Sequence, residues 1–287
     1  IMKKILTTLV AILSSGILGL SVITNTKTAK ADDNDTPVVT LGTSLTASQK
    51  QGTIDTLTQS LNGANYTTIT ITGSDLVKYL NPSGYDFTDN SGVWSSAMVQ
   101  KTSSGSGINV HILPYNGHNN ITTITANQYK NAALTAGISD ADIYVTSATP
   151  IDGSGALAGV YAAYAKNGDS LNQKQINAAQ TEMNTLSKIT SQNKGKDGYS
   201  DAQLNNAVAG AKKEMAKQGQ NISDSQVRDI VNNQININHL GDTITNNQKE
   251  QIINVLIKVK NSGALKDKNF QQQASQLTDQ IQSGAKN

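Results

Sequence analysis

Ala141-Asp142-Ile143-Tyr144-Val145-Thr146-Ser147-Ala148-Thr149-Pro150-Ile151-Asp152-Gly153-Ser154-Gly155-Ala156-Leu157-Ala158-Gly159 is the stretch that decides the fold. Its first eight residues, with Ile143, Tyr144, Val145 and Thr146 in a row, form the most strand-like run of the chain. From Gly155 to Lys166 the chain is apolar, long enough for a helix, and closed by Asn167-Gly168. A strand that feeds a helix through a glycine turn is the unit of α/β architecture.

Working outward, Val38 to Leu41 reads as a short strand, and Thr67 to Thr72, which alternates Thr and Ile, as a half-buried one. Between them Ile54, Leu57 and Leu61 have helical spacing over Thr46 to Leu61. Ser74 is a candidate cap for a short helix that ends at Asn81-Pro82. Ala97 to Thr102 and Ile108 to Leu113, joined through Gly105-Ser106-Gly107, read as a β-hairpin. Thr125 to Ala136 reads as a helix stopped by Gly137. The sum is an α/β or α+β region of three to five strands over residues 38–168.

Composition changes near residue 168, beyond which nearly everything is polar with helical spacing. Helices are expected over 172–193, 200–218, 223–238, 245–262 and 267–283, with Ser223 and Thr245 as N-caps. Ile230, Val231, Ile235 and Ile237, then Ile252, Ile253, Leu256, Ile257 and Val259, form stripes that can bury against one another. The two helices over 172–218, rich in Gln, Asn, Lys and Ala, are expected to be long, exposed and mobile. Residues 169–287 thus form an all-α region behind the α/β domain.

The first 31 residues read as a secretory signal peptide. Lys3 and Lys4 give the basic start, Ile5 to Ile23 is uncharged and apolar, and Ala29-Lys30-Ala31 presents small residues two apart ahead of Asp32. Cleavage is expected after Ala31, followed by an acidic linker over 32–37; retention of the apolar run as a membrane anchor is the alternative. Of the 23 Lys and Arg, four lie in residues 1–31, so 19 basic residues face 21 acidic ones beyond them, a net of −2. That balance lacks the basic footprint of a nucleic-acid binder. The chain has no cysteine, which excludes disulfides, thiolate metal sites and cysteine nucleophiles. One Trp and two Phe argue against broad stacking platforms.

Several blocks resemble a known family. Leu41-Gly42-Thr43-Ser44-Leu45-Thr46-Ala47-Ser48-Gln49 is similar to an "LGxxLTxxQ" opening, and Thr72 to Leu80 to the block after it. Ser103 to Ile112, with Gly105, Gly107, Ile108 and Val110, is similar to "SGxGIxV", Ile124 to Val145 to "ITxxxYxNAxxTAGIxDADIxV", and Ile151 to Leu157 to a following turn. Together they resemble the secreted Gram-positive family catalogued as domain of unknown function 1002. The resemblance implies secretion and brings no catalytic residue with it.

Candidate sites are few. Gly153, Ser154 and Gly155 open a helix after a strand, where backbone amides can bind an anion; close packing of helix on sheet explains the same glycines. Ser154 is flanked directly by glycines and lacks the spacing of a nucleophile elbow. Asp140 and Asp142 are candidate paired carboxylates, or turn caps. His111 and His118 bracket a turn and could bind a metal with a carboxylate, though a solvent-facing loop is favoured; Asp86 and Asp89 suggest a Ca²⁺ loop but lack the EF-hand spacing, so a polar turn is favoured, and no cofactor is expected. Tyr79, Tyr85, Trp94, Tyr115, Tyr129, Tyr144, Tyr161 and Tyr164 could line a carbohydrate or peptide groove, or fill a core. The reading favoured is a non-catalytic exported protein at the cell surface or in the medium. Its partner would be a protein, a peptide or a wall polymer, with no nucleic acid and no membrane contact beyond the signal. The alternatives are an envelope hydrolase using Asp140 and Asp142, and a module that self-associates through its C-terminal helices.

Overall fold

A computed structural model describes residues 35–285. The expected cleavage residues Ala29, Ala31 and Asp32 lie outside them. Five strands form one mixed sheet: β1 (Val38–Gly42), β2 (Thr67–Ile71), β3 (Ser95–Lys101), β4 (Ile108–Ile112) and β5 (Ala141–Ser147), in the order β2-β1-β3-β5-β4. β1 and β2 are parallel, as are β4 and β5, and β3 runs antiparallel between the two pairs.

The expected hairpin is therefore corrected. Both of its strands exist, but β5 lies between them, pairing Val99 with Ile143 on one side and Val110 with Ile143 on the other. The Gly105–Gly107 turn reverses the chain without pairing its arms, because α3 (Ala126–Ala136) carries the chain back over the sheet and inserts β5 in the gap. A parallel neighbour needs such a crossover.

The two faces of the sheet are unequal. Val39, Leu41 and Met98 pack with Leu45, Leu57 and Leu61 under α1 (Ala47–Thr58), a small cluster. Val38, Ala97, Val99, Ile143 and Val145 alternate to the other face and join the main core with α2 (Gly73–Leu80), α3 and α4 (Ser154–Lys166). The first turn of α2 is held by Asp75, whose carboxylate accepts from the Thr72 backbone N–H at 2.8 Å and from its hydroxyl at 2.9 Å. Thr72, not Ser74, is the residue that begins that helix.

Helix α4 lies so close to the sheet that side chains do not fit between them. A Cβ on Gly159 would sit 2.3 Å from Thr40 Oγ1, and one on Gly155 would sit 2.8 Å from Val93 Cγ1. The two glycines are one helical turn apart and share one face.

The remaining helices are α5 (Gln173–Asn193), α6 (Asp201–Gln218), α7 (Asp224–Ile237), α8 (Asn246–Asn261) and α9 (Phe270–Gly284). Ser223 and Thr245 cap α7 and α8, each in a reciprocal capping box with Gln226 or Gln248. The core does not break at residue 168. One cluster of buried side chains runs from Val99 and Ile143 through Tyr161, Met183 and Val208 to Leu277. α5 and α6 are thus buried on one side, at Ile176, Met183, Leu186, Ile189, Leu204, Val208 and Met215, which corrects the expectation of exposed helices. Among the described residues no helix is long and apolar enough to cross a membrane.

Replacing Gly159 with Val forces a side chain into the contact with Thr40. Overpacking of this kind costs roughly 1–3 kcal/mol. The expected outcome is a lower urea midpoint with an unchanged m-value; an unchanged midpoint would show that α4 can stand off the sheet.

Candidate functional site

The glycine turn before α4 is filled by the protein itself. Ser154 N–H and Oγ donate to the two oxygens of Asp152, at 3.0 and 2.6 Å, and Ala156 N–H donates to Ser95 Oγ at 2.8 Å. Gly153 has φ +107°, and a Cβ there would lie 2.3 Å from the Tyr129 hydroxyl, which donates to Gly153 O at 2.8 Å. The amides that could have cradled an anion are partly spent on Asp152 and Ser95. Ser154 is buried, and its hydroxyl is bound to a carboxylate rather than to an imidazole. Burial pushes the nearby Tyr85 hydroxyl up to about 12, with Ser154 lowering it and Asp152 raising it further.

Asp140 and Asp142 share no hydrogen-bond donor. Asp140 has φ +48°, and its Oδ1 accepts from Gly107 N–H at 2.9 Å and from Gln273 Nε2 at 2.7 Å. Partial burial raises its carboxyl, but hydrogen bonds from Gln273 and the Gly107, Gly105 and Ser106 backbone outweigh it and hold the group below its ordinary value. Asp142 Oδ1 accepts from Asn109 Nδ2 at 2.9 Å. Both aspartates fasten the β3–β4 turn and β4, and α9 joins them there: Gln276 donates to Gly105 O, and Gln280 to Asn109 Oδ1 at 3.1 Å.

His111 is exposed and stacks on Tyr144, with centroids 4.9 Å apart, while exposed His118 pairs with Tyr115 through the backbone. Asp89 accepts from Ser74, and Asp86 is exposed. Among the described residues no group of three or more His, Asp or Glu could hold a metal ion. Most of the tyrosines are structural. Tyr79 and Tyr161 pack against each other at 5.9 Å, Tyr161 Oη accepts from Gln180 Nε2 at 2.8 Å, and Tyr164 donates to Ser139 O at 2.7 Å.

Two features had no reading in the sequence. The first is a buried polar joint between α3, α5 and α6. Lys212 Nζ lies 2.5 Å from Glu182 Oε1, with both side chains 0% exposed, and also donates to Asn131 O at 2.8 Å and Asn131 Oδ1 at 3.1 Å. Thr135 donates to Glu182 Oε2 at 2.6 Å, and Asn131 Nδ2 donates to the Asn205 backbone and side-chain oxygens, both at 3.1 Å. Burial raises the Glu182 carboxyl and lowers the Lys212 amine, against the attraction and hydrogen bonds between them. Asp201, half-buried at the start of α6, is also raised by burial, and Thr125, Asn127 and Asn205 hydrogen-bond it. The signal was present: Glu182 falls among Ala179, Met183 and Leu186, and Lys212 among Val208, Ala211 and Met215, each on the apolar stripe of its helix.

The second feature is an open groove of about 470 Å³ between α6 and α7. Glu214 and Gln218 line one wall, and Gln226, Asp229, Ile230, Asn233, Gln234 and Ile237 the other. Ile237, expected in the buried stripe, is instead 56% exposed, because it closes the last turn of α7 beyond the buried Ile235. It also borders a smaller hollow of about 170 Å³ shared with Thr278 and Gln282 of α9.

Lys212→Met leaves the Glu182 carboxyl buried without its partner, a loss of about 3–5 kcal/mol. The exposed pair Lys217–Glu214, at 2.7 Å, is the control: Lys217→Met should cost at most about 1 kcal/mol. Equal denaturation midpoints for the two variants would remove the joint's structural role. Asp140→Asn gives a pH signature. A carboxyl depressed in the folded state contributes stability above its unfolded value, near 3.8, and loses it as pH falls through the lower folded value. The stability gap between wild type and variant should therefore narrow in acid; a gap constant from neutral pH to acid would contradict the assignment.

Similarity to known proteins spans both the sheet and the helices. The family described as Protein of unknown function (DUF1002) matches residues 41–277. An uncharacterized protein of Bacillus subtilis (strain 168), YpuA, is 30% identical over 226 residues, covering 78% of this chain and 72% of that protein. No solved structure matches the chain. With a match running from β1 to α9, the chain belongs to the family of proteins of unknown function DUF1002.

Proposed function

We propose that this chain is an exported, non-catalytic binding protein that holds a polypeptide segment in the groove between α6 and α7. The observation that carries the reading is Ile237, a large aliphatic side chain 56% exposed beside a groove otherwise rich in amides and carboxylates. Isolated exposed apolar residues are common. This one lies in a concavity that the largely buried Ile230 also lines, about two helical turns away, and it can receive an aliphatic side chain. Gln218, Gln226, Asn233 and Gln234 offer both donors and acceptors, which suits a peptide backbone. Glu214 and Asp229 favour a basic residue nearby. The lining holds no aromatic ring on which a sugar could stack, so a polypeptide fits better than a wall glycan. Export rests on the residues read as a signal over 1–31. The non-catalytic reading rests on the structural hydrogen bonds that occupy Asp140, Asp142 and Ser154.

The test immobilises the chain and its Ile237→Asp variant and passes over them envelope proteins, medium proteins and purified wall polymer from a Gram-positive culture. Burial of one isoleucine is worth about 1.5–3 kcal/mol, so the variant should bind its protein partner at least about tenfold more weakly. Equal retention by the variant, or retention of wall polymer alone, would overturn the groove reading. Export is tested separately: chain recovered from the medium should begin at Asp32.

A further inference from the structure

The Lys212 joint places an amine, a carboxamide and a carboxyl group in one sealed space. Lys212, Asn131 and Glu182 come from three helices, and each is 0% exposed. Lys212 Nζ is 3.1 Å from Asn131 Oδ1 and 2.5 Å from Glu182 Oε1. Asn205 holds Asn131 Nδ2, which turns the carboxamide so that its carbonyl faces Lys212. Thr135 holds the second oxygen of Glu182 and leaves the first on Nζ. In a water-free site, fixed neighbours of this kind react as if at very high concentration.

We propose that Lys212 and Asn131 condense within the folded chain to form an intramolecular isopeptide bond, with Glu182 as the proton relay. The amine nitrogen attacks the Asn131 side-chain carbonyl carbon. An Nζ–Cγ bond forms, the Cγ–Nδ2 bond breaks, and Nδ2 leaves as ammonia. One proton passes from Nζ to Nδ2 through the Glu182 carboxyl, which ends as it began. A primary amide and an amine become a secondary amide and ammonia, so no oxidant, metal or other reactant is needed. The amine must be uncharged to attack. Burial acts in that direction, lowering Lys212 while raising Glu182.

The consequence is a covalent tie between α3 and α6. The linked residues are 81 positions apart, so the tie removes conformational freedom from the unfolded chain as a disulfide would. This chain has no cysteine with which to make one.

The test is the intact mass and tryptic map of the purified full chain, folded by circular dichroism. The expected mass is below that of the sequence by one ammonia, with a branched peptide joining the segments that contain Asn131 and Lys212. Glu182→Gln and Lys212→Arg should restore the full mass and linear peptides. Linear peptides with unmodified Asn131 and Lys212 as the sole products from wild type would overturn the proposal. So would an ammonia loss without the branched peptide, which would instead mark ring closure at an Asn-Gly step such as Asn167-Gly168. The wild-type map decides even if a variant fails to fold.

Discussion

The contact between Lys212 and Glu182, made as the chain folds and before any bond to Asn131, constrains the rest of the structure. Removing two ionisable groups from water costs several kcal/mol each, and their mutual attraction offsets this only when every remaining polar atom is also matched. Here the matching falls to Asn131 and Thr135 on α3 and Asn205 on α6. A side chain on any one of these helices can be satisfied only if the other two stand in register. The joint therefore specifies how α5 and α6 approach α3, and through α3 how they sit on the sheet.

The sheet side of the molecule is specified by absence of bulk instead. Gly155 and Gly159 let α4 approach β1 and β3 until Thr40 and Ser95 touch the helix, and Ser95 then serves its first turn as a hydrogen-bond acceptor. The same closeness explains why the turn at Gly153 resembles a ligand cradle without being an open one. The glycines admit Tyr129 and Asp152, which complete the turn from within. The β4 edge is fastened in a comparable way by a row of glutamines on α9, where Gln273, Gln276 and Gln280 reach Asp140, Gly105 and Asn109.

What could be read from the sequence was what depends on neighbours along the chain. The alternation in β2, the strand run of β5, the caps at Ser223 and Thr245, and the stop at Gly137 all stand as local chemistry requires. The pairing of β3 with β5 was not legible, because β5 lies some forty residues from β3 and the glycine turn nearer by gave a stronger local signal. Nor was the burial of α5 and α6. Their interior sets Ala, Asn, Gln, one lysine and one glutamate among widely spaced Ile, Leu, Val and Met side chains, a composition that reads as solvent-facing until the three helices are placed together. Of the candidate sites, the aspartates and Ser154 were visible as residues, but their roles as turn fasteners depended on Gln273, Asn109 and Asp152 as hydrogen-bond partners. The groove at Ile237 was not legible, and Ile237 itself read as part of a buried stripe, since concavity between α6 and α7 is a product of packing.

That α3, α5 and α6 are locked together by one buried polar joint has a direct consequence for how the molecule opens. Regions that share a core exchange their amide protons in a single cooperative event, whereas separable regions open at different free energies. Native-state hydrogen exchange in rising sub-denaturing urea distinguishes the two. The expected result is one isotherm on which the slowest amides of α6, around Val208 to Met215, merge with those of β3 and β5. Exchange of residues 173–284 through a smaller opening, while the sheet stays protected, would contradict it.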